Sequence, residues 1–224
     1  MRGKRTCGVL VCLAVSGAAS AVAQGNPLDA PAMREMLHKF WNPVVGSGEV
    51  YQSSVQNGEH WRTIELTVVG KETVEGQQGY WVEMAMDMPQ MGGTVYAKDL
   101  LVPSEEAPRR GIVQLPGEAA MELPMNGHPG ARKPDKTQAH KVGAETVTVP
   151  AGTFACEHWK DKDADVWVTS KVSPITVVKT VSKDKDDVVL VKLISGAKDH
   201  ITGPVKPFDP SVFMRHMKRP GDGS

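Results

Sequence analysis

The sequence predicts a mainly β, α+β domain: a curved antiparallel sheet, or half-barrel, packed on an N-terminal amphipathic helix and finished by a short C-terminal helix. Three observations predict it. Apolar and polar residues alternate through most of positions 48–195. One apolar stripe with helical spacing precedes that region. And 22 Gly and 16 Pro punctuate the 224 residues, a composition at odds with helix bundles and coiled coils. An amphipathic stripe has to be covered, and one face of an antiparallel sheet is the simplest cover. A sheet that curls around such a helix presents an apolar concave face.

Residues 1–23 read as an address. Arg2, Lys4 and Arg5 open the chain, Cys7 to Ala19 form an apolar block, and Ala21-Val22-Ala23 supplies a small-residue cleavage pattern. That order of features is a secretory signal peptide, with an apolar part too short to span a bilayer. A lipid-anchoring signal needs a small residue directly before its Cys. Val11 precedes Cys12, and Gly8 follows Cys7 rather than preceding it, so cleavage after Ala23 and a periplasmic or secreted product are expected. Cleavage takes three of the 26 basic residues and none of the 26 acidic ones, leaving a net charge of −3. Without a basic excess, a dedicated nucleic-acid binder is not expected. No later apolar run is long enough for a transmembrane helix. Cys156 is the one cysteine left in the mature chain, so no internal disulfide is available.

The mature chain, 24–219, reads as one domain, with 220–224 a tail. Asp29 is a good N-cap with Pro31 in the first turn. Met33, Met36, Leu37, Phe40 and Trp41 then make the stripe of a helix over 29–41, stopped by Asn42-Pro43. From Gly48 the period becomes two. Ile64, Leu66 and Val68 face one way and Thr63, Glu65 and Thr67 the other; Tyr80, Val82, Met84, Met86 and Met88 oppose Trp81, Glu83, Ala85 and Asp87. Such alternation marks half-buried antiparallel strands. Gly76-Gln77-Gln78-Gly79 reads as the turn between two of them. Further strands are expected at Thr94–Val102, Gly111–Leu115 and Ala119–Pro124. Met125–Lys141 reads as a loop or the seam between two halves of one sheet. Strands resume at Glu145–Val149, Thr153–Trp159, Asp165–Thr169, Ile175–Ser182 and Asp187–Ser195, with Val188–Ile194 apolar enough for a central strand. Asp209-Pro210 caps a last helix over 209–218, on which Val212, Phe213, His216 and Met217 share a face.

Val149-Pro150-Ala151-Gly152-Thr153-Phe154-Ala155-Cys156, followed by Asp165-Val166-Trp167-Val168 and Ser173-Pro174-Ile175-Thr176-Val177-Val178-Lys179, resembles a pattern found in families of uncharacterised secreted bacterial proteins. Those families look like relatives of the periplasmic lipoprotein carriers. The resemblance implies a half-barrel with helices in its concavity, spans about a quarter of the chain, and brings no catalytic residues with it. Acyl-chain binding transfers from the carriers only as an analogy.

Chemistry-bearing residues are sparse. Cys156 and His158 share a strand face, about 7 Å apart in a regular strand and too far for direct pairing; a buried structural thiol is the expected role. Met84, Met86 and Met88, with Met91 nearby, offer soft sulfur ligands suited to Cu(I). The same residues equally suit an adaptable apolar surface. The histidines are scattered, and Asp161, Asp163 and Asp165 lack the glycine and terminal glutamate of a calcium loop. No phosphate loop or nucleophile elbow is present. The expectation is a non-enzymatic protein without a cofactor. Its concave face, lined by Val82, Met84, Met86, Met88, Phe40 and Trp41, would hold a lipid or other apolar ligand. The alternative is a structural or interaction module of the cell envelope whose concavity is plugged, and a Met-rich Cu(I) protein ranks below both. The sequence points to no particular protein partner.

Overall fold

The structure, a computed structural model, describes residues 40–55, 60–105, 107–124, 140–160, 164–182 and 187–217. Its twelve strands fall into two runs. The first comprises β1 (Ser47–Val55), β2 (His60–Val74), β3 (Gln77–Met88), β4 (Gly93–Leu101), β5 (Arg110–Gln114) and β6 (Met121–Glu122). The second comprises β7 (His140–Val149), β8 (Gly152–Lys160), β9 (Ala164–Val168), β10 (Val177–Ser182) and β11 (Val188–Ser195), after which β12 (Lys206–Pro207) and the helix α1 (Pro210–Met217) end the described chain. All twelve strands form one sheet in the order β12-β6-β5-β4-β3-β2-β1-β11-β10-β9-β8-β7. Each run is a meander, and the two meet at the antiparallel pair β1–β11. Val188–Ile194 accordingly lies mid-sheet, where its apolar run predicts it.

The sheet is open and curved. In a flat sheet, strands about 4.8 Å apart would hold β7 about 14 Å from β10. Yet β7 touches both β10 and β11, so this end of the sheet rolls strongly inward. Bulges at Val50/Tyr51, Val68/Gly70 and Lys141/Gly143 provide local twist.

The β2–β3 hairpin corrects one expectation. Its turn is Glu75-Gly76, both at positive φ (50° and 79°), rather than Gly76–Gly79. A two-residue turn with two positive φ values matches the right-handed twist of its strands, so Gln77, Gln78 and Gly79 pair in register with Val74, Thr73 and Glu72. The expected loop 125–141 also needs correction at its end, because His140 and Lys141 belong to β7. Residues 125–139 lie outside the described residues.

The predicted N-terminal helix, 29–41, lies outside the described residues as far as 39. Its last two positions are not helical. Trp41 makes an antiparallel bridge with Ile175, the Thr176 amide donates to the Phe40 carbonyl at 2.8 Å, and the Asn42 amide donates to the Pro174 carbonyl at 2.9 Å. Pro43 imposes extended backbone on the residue before it, and the neighbouring 174–176 segment offers that backbone hydrogen-bond partners. The C-terminal helix is as expected: Asp209 Oδ1 accepts the Ser211 amide at 2.9 Å, and Pro210 occupies the first turn, where its missing N–H is harmless.

The main core lies on the inner face of the sheet. It joins Ile64 and Leu66 of β2, Met84, Met86 and Met88 of β3, Val95 and Ala97 of β4, Val166 of β9 and Leu190 of β11. Phe40 enters from one end, and Val212 and Phe213 of α1 enter from the other, where α1 packs on the 3-10 turn Pro89–Met91. A smaller cluster of Ile112, Ala120 and Ile201, backed by Trp81 and Tyr96, covers the outer face. It exists because the chain after β11 crosses that face to reach β6, which it joins as the parallel strand β12.

Candidate functional site

The concave face is the site the sequence singles out. Alternation sends Val82, Met84, Met86 and Met88 to the same side of β3, and all four are buried, as is Met91. Phe40 is buried against them, with its ring 6.5 Å from Trp159, while Trp41 is partly buried and meets Tyr80 edge-on at 6.2 Å. Of the predicted lining residues, Met84, Met86, Met88 and Phe40 share one buried apolar cluster and Trp41 packs against it, while Val82 is buried outside that cluster. Met84, Met86 and Met88 occupy alternate positions of β3, whose backbone repeat is about 6.6–7 Å. Among the described residues, no group of three or more His, Cys, Asp or Glu is arranged to hold a metal ion.

A polar stripe crosses this face, and sequence reasoning missed it. Glu49, Tyr51 and Ser53 alternate along β1, near the middle of the sheet, and all point inward and are buried. Glu49 Oε1 accepts the Ile175 amide at 2.7 Å. The Tyr51 hydroxyl donates to the Val177 carbonyl at 2.7 Å. These bonds hold the 175–177 segment, whose Thr176 amide in turn holds Phe40, while Asn42 bonds to Pro174 just before it. Glu49 Oε2, Ser53 Oγ and Thr180 Oγ1 have no hydrogen-bond partner among the described residues. Ser53 and Thr180 both stand in register with Val188, one strand to either side of it. Burial pushes the Glu49 carboxyl well above the usual carboxylate range, against the opposing pull of the Ile175 amide. Burial, and then the neighbouring Glu49, push the Tyr51 hydroxyl up as well.

On the outer face, Glu83 lies beneath the chain that follows β11. Its Oε1 is 2.6 Å from His200 Nδ1, and its Oε2 accepts the His200 amide at 3.1 Å. Burial raises the Glu83 carboxyl, while the His200 hydrogen bond draws it back. Beside it Lys98 pairs with Asp199 and donates to the Ile201 carbonyl at 2.9 Å. The His200 ring stacks on Tyr96 at 4.7 Å, and Lys98 and Arg110 both approach the Trp81 ring at 5.5 Å.

The second half of the sheet carries a similar arrangement. His158 Nε2 lies 2.7 Å from Asp165 Oδ1, and its Nδ1 lies 3.4 Å from Glu145 Oε1. Its ring stacks on Trp167 at 4.5 Å, and Lys179 approaches that indole at 5.4 Å. Burial pushes Asp165 up, but hydrogen bonds from Lys160 and His158 outweigh it and hold the carboxyl below its ordinary value. Cys156 shares its strand face with His158 as predicted but is buried, its Sγ 3.6 Å from the Phe154 carbonyl. Burial, and secondarily the charge of Glu145, raise its thiol, a setting that disfavours the reactive thiolate. Both histidines sit in ring stacks beside carboxylates, His158 largely covered and His200 partly open to solvent. The His200 contacts tie the segment after β11 to β3, and the His158 contacts tie β7, β8 and β9 together.

No protein-family model matches the chain, and no curated protein matches it. Solved structures similar to it include those of two bacterial proteins of low sequence identity. One is described as a "putative lipoprotein" from Parabacteroides distasonis, with 16% identity and a TM-score of 0.35, covering 69% of this chain and 98% of that one. The other is described as a "putative exported protein with YmcC-like fold" from Bacteroides fragilis, with 13% identity and a TM-score of 0.37, again covering 69% of this chain and 98% of that one. Among the described residues, no helix is long and apolar enough to cross a membrane.

Proposed function

We propose that the protein is an exported, non-enzymatic component of the cell envelope whose curved sheet closes on its own side chains, making it an interaction scaffold rather than a carrier. One observation carries this reading: the inner face is filled. Leu66, Val82, Met84, Val95, Ala97, Val177 and Leu190 are each at most 2% exposed, so no surface there is left for an apolar ligand to cover. Apolar contact of this kind stabilises the fold itself at about 25 cal/mol per Å² buried. Export rests on the signal-like N-terminus. The resemblance of residues 145–195 to relatives of the periplasmic lipoprotein carriers fits a sheet with an occupied concavity.

The second reading is a lipid binder, and the unpartnered stripe of Glu49, Ser53 and Thr180 favours it, because a ligand bearing both hydrogen-bond donors and acceptors would satisfy these groups. Titration of the mature protein with a dansyl-labelled fatty acid separates the two. A scaffold with a filled core gives no saturable change in emission. Saturable binding that Met84→Glu abolishes would instead establish the concave face as a ligand site.

A further inference from the structure

We propose that Gly196–Met217 is a detachable strap, fastened to a finished sheet at two points and released as a unit. The first fastener is on the outer face. There Lys98 holds Asp199 and the Ile201 carbonyl, Glu83 holds both the ring and the amide of His200, and the Ile201 side chain is buried with Ile112 and Ala120. The second is on the inner face, where Val212 and Phe213 join the main core and α1 packs on Pro89–Met91. The chain thus passes around the β6 edge of the sheet, from one face to the other.

Between the fasteners, all ten residues from Thr202 to Ser211 are exposed. Among the described residues, their backbone pairing to the sheet is β12, where Lys206 pairs with Met121 and Pro207 with Glu122 in parallel. Segments with few buried apolar contacts and exposed hydrogen bonds are those that open below the global unfolding transition. The pivot is in place: Gly196 has φ +69°, and the position of a Cβ there meets nothing within 4 Å. The outer fastener includes the partly buried Lys98–Asp199 ion pair, and such a pair adds little net stability once desolvation is counted. Release bares two apolar surfaces at once, the outer patch of Trp81, Tyr96 and Ile112 and the inner corner at Met91, while β1–β11 keep their pairing.

Hydrogen–deuterium exchange of the full mature chain tests this. In the parent protein, amides of residues 197–213 exchange at least about tenfold faster than those of β3 and β4, as sub-global opening requires. Equal rates in the two regions would overturn the proposal without any variant. In Asp199→Ala/His200→Ala, strap protection falls by a further factor of about ten while β2–β4 change by less than about twofold. A fall shared by all regions would contradict a separate strap. Native-state chymotrypsin cleavage after Phe213, which is buried while the strap is in place, accelerates in the variant by a similar factor, and an unchanged rate would equally count against release.

Discussion

At the scale of single residues, the inner polar stripe is where the core departs from an ordinary apolar interior. A buried hydroxyl without a partner costs about 1–3 kcal/mol relative to one that is paired or absent. Thr180→Val keeps shape and removes such a hydroxyl, and Ser53→Ala does the same at slightly smaller volume. Each should raise stability by about 1 kcal/mol in urea unfolding; a lowered midpoint would reveal a partner for that oxygen. Glu49 makes a pH-dependent prediction. Its folded-state pKa lies above that of the unfolded chain, so folding takes up a proton. Its contribution is whole below the ordinary carboxylate range and is lost as pH rises toward the raised value. Glu49→Gln retains an acceptor for the Ile175 amide and removes the titration. Between about pH 4 and pH 8, the variant should lose stability less steeply than the parent and be the more stable at the upper end. Parallel pH profiles would contradict the assignment.

At the scale of elements, Gly48 shows how closely β1 and β2 approach. A Cβ there would lie 2.5 Å from Thr67 Cγ2 and 2.6 Å from the Leu66 carbonyl oxygen. Gly48→Ala should cost about 1–3 kcal/mol through overpacking, read as a lower Tm; an unchanged Tm would mean the strands separate easily. Most strands were legible because side chains alternate strictly. Met84, Met86 and Met88 face inward as their spacing predicts, and β11 takes the central place its apolar run implies. The turn at Glu75-Gly76 was hidden because a non-glycine residue adopts positive φ there. β12 was hidden because Lys206-Pro207 has no periodicity and pairs only where the strap happens to pass.

At the scale of the whole molecule, two long-range facts were beyond local pattern. Glu83 and Lys98 look like ordinary outward positions on β3 and β4. They become buried only because residues about a hundred positions later cross above them. Phe40 and Trp41 follow helical spacing, yet they end as an extended segment bridged to 174–176, a partner that no local reading can supply. Met84, Met86, Met88 and Phe40 share one buried cluster with Val212 and Phe213, which come from the far end of the chain. The glutamate at position 49 could have been suspected from its place in the Glu49, Tyr51, Ser53 alternation, since one face of a central strand is buried whatever it carries.

The most direct measurement of the central claim is native mass spectrometry of the mature protein, released from cells without detergent. A filled core predicts the bare polypeptide mass. A stoichiometric added mass that organic extraction removes and identifies as a lipid would contradict it.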